Sequence, residues 1–264
     1  MPEILFDKTG SVATMTFNKP DKANAFDPAW IPSMIDFITA VEHDDGVRCL
    51  LIRGNGKNFM AGGDLGSIGE IMKMPPAEKT VRIAEPIHEY NRLGRAMRRL
   101  GKPIVASVQG AVAGAAVGLV AACDLVIAAE SAFFFVAHAL HGGSVDGLTT
   151  YYLPRQIGTR KAMELALLAD RLSAGEAQRI GLINFVVPAE QLDAETQKLV
   201  QRLAAGPTRA YGLIRNQILA SLENSLEEQG RLEAESYSGA ALTSDWVEGL
   251  SAFFEKRKPG FTGR

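Results

Sequence analysis

Ile104-Val105-Ala106-Ser107-Val108-Gln109-Gly110-Ala111-Val112-Ala113-Gly114-Ala115-Ala116-Val117-Gly118 passes from a short apolar strand through small residues into a helix. The first N–H groups of a helix have no partner within it and carry partial positive charge. They suit an oxygen that gains negative charge. Small side chains at Gly114 and Ala115 leave room for such an oxygen. Close packing of helix on strand also favours Gly and Ala, so the segment alone leaves both readings open. The glycine spacing is not the dinucleotide fingerprint, and no Lys-Ser/Thr pair follows to make a phosphate loop.

Working outward, residues 4–6 and 12–17 read as strands joined by a hairpin at Thr9-Gly10-Ser11. Asp27-Pro28 starts a helix whose Ile31, Met34, Ile38 and Val41 share one face. Residues 47–52 form an apolar strand. Residues 77–100 have helical period, with Ile83, Ile87, Tyr90 and Met97 on the apolar side. Residues 125–128 and 183–187 are further strands, and Ser173-Ala174-Gly175-Glu176 has capping-box spacing. Strands alternating with helices indicate α/β architecture with mainly parallel pairing. Past Pro188 the pattern becomes helical to about Lys258. The organisation expected is an α/β core over 1–188 and a helical region over 189–264. Residues 66–76 are expected to be loop.

With 264 residues, 47% of them apolar, the chain can bury one substantial core. A net charge of −2 and no basic block give no pull toward nucleic acid. No apolar run reaches the ~18–20 residues of a membrane span, and the N-terminus does not have the pattern of a signal peptide. A cytoplasmic protein is the expectation. Cys49 and Cys123 sit in apolar runs and read as buried free thiols. No His/Cys/Asp cluster has metal-ligand spacing.

A second small-residue segment, Lys57-Asn58-Phe59-Met60-Ala61-Gly62-Gly63-Asp64-Leu65, follows a strand and a turn. Glycines here permit close backbone approach. The two segments in this order resemble the crotonase (enoyl-CoA hydratase/isomerase) superfamily. The likeness spans nearly the whole chain. Asn18-Lys19-Pro20 with Lys22-Ala23-Asn24-Ala25-Phe26 is similar to its early CoA-contacting loop. Lys102-Pro103-Ile104-Val105-Ala106, Cys123-Asp124-Leu125-Val126-Ile127-Ala128 and Gly181-Leu182-Ile183 match its strand segments. Ala252-Phe253-Phe254-Glu255-Lys256-Arg257-Lys258-Pro259 is similar to its C-terminal signature.

The resemblance implies a crotonase-like ββα superhelix, a spiral core with a C-terminal helical trimerisation region, assembled as a homotrimer or dimer of trimers. It implies backbone donors at Gly63 and Ala115 that stabilise a thioester enolate. Contacts to the acyl-CoA fall on Lys22, Ala23, Ala25, Ala61, Asp64, Leu65, Phe253 and Lys256. Coenzyme A enters as part of the substrate. No further cofactor, metal, nucleic acid or membrane is implied.

Hydratases of the family position water with two glutamates. At the matching positions this chain has Gly118 and His138, so the coupled carboxylate pair is absent. Three candidates remain. His138 carries an imidazole, which can act as acid or base; alone it reads as a core histidine. Asp146 matches an aspartate that acts as base or nucleophile in dienoyl-CoA isomerases and in 4-chlorobenzoyl-CoA dehalogenase, although other members carry it as a turn or cap residue. His141 is a loop histidine able to face solvent or pair with Asp146. The dehalogenase's tryptophan and histidine are replaced by His138 and Asn91. Double-bond isomerisation, or weak hydration, of an enoyl-CoA is the leading expectation. A β-dicarbonyl hydrolase like 6-oxocamphor hydrolase and an inactive acyl-CoA-binding homologue are the alternatives.

Overall fold

The computed structural model describes residues 1–63 and 65–264, with the side chains of 65–68 excepted. Among the described residues nine strands form two sheets. They are β1 (Ile4–Thr9), β2 (Val12–Phe17), β3 (Cys49–Gly54), β4 (Ile104–Val108), β5 (Ala111–Ala113), β6 (Leu125–Ala129), β7 (Phe133–Phe135), β8 (Leu172–Ser173) and β9 (Phe185–Val187). The larger sheet has the order β1-β2-β3-β4-β6-β9 and the smaller β5-β7-β8. Only β1–β2 is antiparallel in the larger sheet, with Ile4 opposite Phe17; the remaining pairs are parallel.

The helices are α1 (Ile31–His43), α2 (Leu65–Met72), α3 (Pro76–Arg99), α4 (Ala115–Ala121), α5 (Thr149–Leu168), α6 (Ala174–Arg179), α7 (Leu192–Ala204), α8 (Thr208–Ala220), α9 (Leu226–Ala240) and α10 (Ser244–Phe254). The repeating unit is strand, strand, helix, as in β4-β5-α4. Gly110 makes the corner between the two strands. Its φ is +57°, and a Cβ there would lie 2.1 Å from the Lys57 carbonyl oxygen, so no other residue fits without moving the backbone. The corner sends the chain from the large sheet to the small one and aims α4 at the junction.

One face of β2, β3 and β4 meets α1, α3 and α4 in the main core. Met15, Phe17, Ile31, Met34, Ile52, Leu93 and Met97 are buried there. Each such side chain contributes about 1.5–3 kcal/mol on leaving water. The opposite face of the large sheet packs on α7 through Leu51, Val105, Ile127, Val200 and Ala204. Both faces are covered, which is why these strands read as continuous apolar runs.

The helix face Ile31, Met34, Ile38 and Val41 is buried as expected, after a short 3₁₀ turn capped by Asp27. Other expectations need correction. Residues 66–76 are not wholly loop, because α2 covers 65–72. β3 starts at Cys49 because Val47 is still in the turn, its amide donating to Asp44. Ile83 is exposed, and the buried stripe of α3 is Tyr90, Leu93, Gly94 and Met97, all in its C-terminal half. Both cysteines are buried free thiols. Burial pushes the Cys49 thiol up to about 12 and the Cys123 thiol higher still. Among the described residues no helix is long and apolar enough to cross a membrane.

Candidate active site

The two small-residue segments meet. Met60 and Val112 form a parallel bridge, with the Met60 amide donating to the Ala111 carbonyl (3.0 Å) and the Ala113 amide to the Met60 carbonyl (2.9 Å). Past the bridge the chains stay in contact without pairing. Gly62 has φ +96° and Gly114 φ +58°. A Cβ on Gly114 would sit 3.5 Å from the Gly62 Cα. The donors expected at Gly63 and Ala115 each come one residue later. Among the described residues neither amide has a protein acceptor. Ala115 opens α4, so its N–H is one of the orphan groups of a helix start.

Tyr90 fixes this corner. Its hydroxyl donates to the Ala115 carbonyl at 2.9 Å. Burial, and then the nearby Asp146 carboxylate, push the phenol above its ordinary range, so it stays a neutral donor. Ala115→Pro removes the α4 donor and nothing else from the main chain. Loss of one such donor is worth about 10²–10³ in turnover. We expect at least a hundredfold fall in kcat with an unchanged circular-dichroism spectrum. A fall under threefold would remove Ala115 from the chemistry.

His138 and Asp146 come together at the same corner. His138 lies on a 3₁₀ turn after β7, and Asp146 lies just before α5. His138 Nε2 is 3.0 Å from Asp146 Oδ1. A carboxylate oxygen only accepts, so Nε2 carries the hydrogen of this bond. Nδ1 is buried with no partner among the described residues. The His138 side chain is 10% exposed and that of Asp146 34%. The more open member is therefore the carboxylate. His138 Cε1 would lie 3.9 Å from a Cβ on Gly114, and a Cβ on Gly147 would lie 2.9 Å from Ala115 Cα. His138 thus abuts Gly114, just before the donor at Ala115, and the residue after Asp146 abuts Ala115 itself. His141 stacks obliquely near His138, ring centres 6.1 Å apart, and among the described residues it makes no contact with Asp146.

The segment 19–26 lies along the other donor. Ala23 and Asn24 both have positive φ. The Asn24 side chain holds them, accepting from the Lys19 amide and donating to the Asn55 and Asn58 carbonyls. The Ala61 amide donates to Ala23, and the Phe26 amide to Gly62. Lys22 is exposed at the rim, with Ala25 beside it. Sequence reasoning quoted Asn24 within its motif but gave it no role; its total burial and three bonds make it the clamp of the loop.

The profile of the enoyl-CoA hydratase/isomerase family matches residues 7–264. The chain belongs to the enoyl-CoA hydratase/isomerase family. The 1,2-epoxyphenylacetyl-CoA isomerase of Escherichia coli (strain K12) is 38% identical over 264 residues, covering 100% of both chains. The trans-2-decenoyl-[acyl-carrier-protein] isomerase of Streptococcus mutans is 35% identical over 262 residues, 99% of this chain and 98% of that protein. The crystal structure of an enoyl-CoA hydratase from Polaromonas sp. JS666 superposes with a TM-score of 0.92 at 29% identity, covering 98% of this chain and 99% of that one. The crotonase fold, with its helical C-terminal region, is therefore the fold of this family member.

Other expected site residues stand apart. Asp64 lies outside the described residues, as does the side chain of Leu65. Phe253, on α10, is 76% exposed and touches Phe254. Lys256 follows that helix with φ +55°. α10 is tied to the C-terminal tail, where Asp245 accepts from the Thr262 and Gly263 amides, and to α9, where Trp246 packs edge-on against Tyr237. Nothing described brings Phe253 or Lys256 against the 19–26 loop of the same chain. A separate cleft of about 970 Å³, walled by Arg95, Arg98, Arg99 and Arg209, shares no lining residue with Gly63, Ala115, His138 or Asp146. No cluster able to hold a metal occurs among the described residues.

Proposed function

We propose that this family member isomerises the double bond of an enoyl thioester through an enolate held by the Gly63 and Ala115 amides. The observation that carries the reading is the His138–Asp146 contact beside Ala115, at a site whose α4 position 118 has no carboxylate. The Asp146 carboxylate takes a proton from a carbon conjugated with the thioester. The electron pair moves to the carbonyl oxygen, where the two N–H groups stabilise it. The carboxylic acid then returns the proton to another carbon of the same allylic system. No atom is gained or lost, so one base suffices. His138 donates to Asp146 through Nε2–H and holds the carboxylate in place, much as one member of a triad orients another.

The names of two relatives, both isomerases of acyl thioesters, support this class of reaction. One names CoA as carrier and the other acyl-carrier protein. The loop at Lys22, Ala23 and Ala25 favours CoA here, with Ala61 tied to it by its amide's bond to Ala23. Phe253 and Lys256 would serve a neighbouring subunit. A homotrimer, or a pair of trimers, would also cover Ile218, Leu222, Leu250 and Phe254, which are exposed in the single chain.

The test is a panel of enoyl-, dienoyl- and β-ketoacyl-CoAs in D₂O. Deuterium entering the substrate without net hydration is the expected result. Turnover of free diketones, or tight CoA binding with no exchange, would overturn it. His138→Ala is expected to lower kcat at least tenfold with KM changed less than threefold, as general acid–base machinery does when its orienting partner is lost. Full activity in that variant would return His138 to a packing role.

A further inference from the structure

We infer that Gly118 is a positioning residue for Asp146: its missing side chain is the seat into which the Asp146-bearing segment locks. The inference rests on the proposed role of Asp146. A Cβ placed on Gly118 would lie 2.0 Å from the Gly147 carbonyl oxygen, 3.0 Å from its carbon and 2.7 Å from Thr149 Oγ1. Two of these atoms are backbone, which cannot swing aside as a side chain can. Gly147 in turn presses on α4, where its own Cβ would meet Ala115 Cβ at 2.8 Å and Cα at 2.9 Å. Gly147 (φ +65°) and Leu148 (φ +58°) are both left-handed, and the latter is an uncommon state for a branched side chain. Leu148 drops toward Gly94 of α3, where a Cβ would lie 2.2 Å from its Cδ1. The segment is thus held between α3 and α4 by glycine on both sides.

A consequence concerns reaction choice. With the segment in its present place, any side chain at 118 of this chain meets the Gly147 carbonyl, next to Asp146. The replacement of the hydratase glutamate is therefore more than a lost carboxylate. It permits a different carboxylate to arrive from another segment.

Three groups around His138 enter the test: Asp146 on its Nε2, His141 beside its ring, and Tyr90, which feels the Asp146 charge. The readout is the ¹⁵N-edited NMR signal of His138, whose Nε2–H proton should be protected from exchange by its bond to Asp146. In Gly118→Ala we expect this protected proton to disappear and kcat to fall at least tenfold, with KM within threefold. A residue of merely structural importance would lower the melting temperature and leave the His138 signal in place. Leu148→Ala adds no atoms and covers the case in which Gly118→Ala does not fold. It should weaken the same proton's protection and lower kcat threefold or more. If folded Gly118→Ala, or Leu148→Ala in its stead, keeps both signal and rate, the seat is refuted. Asp146→Asn separates the two ideas. If it remains fully active while Gly118→Ala still loses the His138 signal, the catalytic reading fails and the seat stands.

Discussion

Asp146→Asn should lower turnover of an enoyl thioester by about 10²–10⁴, the range that a positioned acid–base group supplies. Asparagine matches aspartate in shape. Its amide oxygen can still accept from His138 Nε2–H, so the 3.0 Å contact has a neutral equivalent. The lost property is the ability to take a proton. Binding should change little, since the carboxylate is not among the groups expected to hold the thioester. The measurement is kcat and KM beside an unfolding curve. The effect should exceed that of His138→Ala, because the carboxylate is the more exposed member and the imidazole nitrogen facing away from it is enclosed. The reverse order would make His138 the proton carrier and Asp146 its orienting partner. A loss under threefold in Asp146→Asn would leave the site without an identified base.

Much of the spiral was legible because its signals are local. The apolar face of α1 has helical spacing, and the strands covered on both sides read as unbroken apolar runs. The two small-residue segments stood out only as an ordered pair, since either alone reads equally well as close packing or a glycine-rich turn. Longer-range facts were not. α5 escaped the reading because Pro154 and a non-helical Gly158 interrupt its period. Its apolar residues also split between the core and outward-facing Met163, Leu167 and Leu168. α2 was hidden by glycines that lower helix propensity. The periodicity of α3 marked Ile83 as apolar-side but could not show whether anything covers it.

The site divides the same way. Sequence could nominate His138 and Asp146, but only two successive left-handed residues after Asp146 turn it back onto the imidazole. No periodicity encodes that turn. Gly118 registered as a missing carboxylate, yet its partner is a carbonyl that no pattern of side chains could announce. His141, the weaker candidate as partner of Asp146, is left outside the pair.

The largest effect on stability is expected at Arg215, far from the reacting atoms. Arg215 is buried on α8. Its Nε sits 2.7 and 2.8 Å from the two Asp124 oxygens, and its remaining nitrogens donate to the carbonyls of Met97, Arg98 and Leu100. Those carbonyls are the unpaired acceptors at the C-terminal end of α3, where a cation is favoured. Asp124 also accepts from the Ile104 amide, at the start of the strand that leads to Ala115. Burial pushes the Asp124 carboxyl upward, and the Arg215 charge opposes that push. Arg215→Met fills similar volume but leaves the half-buried Asp124 carboxylate without its cation and three carbonyls without a donor. Removing one partner of a buried pair costs about 3–5 kcal/mol. Urea unfolding should show a loss of that size. In the Arg215→Met, Asp124→Asn double variant the loss should be well below the sum of the two single losses, because the second change removes the stranded charge. A single-variant loss under 1 kcal/mol would mean that water reaches Asp124 and the α3 carbonyls once the guanidinium is gone. The helical region would then be joined to the spiral chiefly by apolar contact instead of by this clasp.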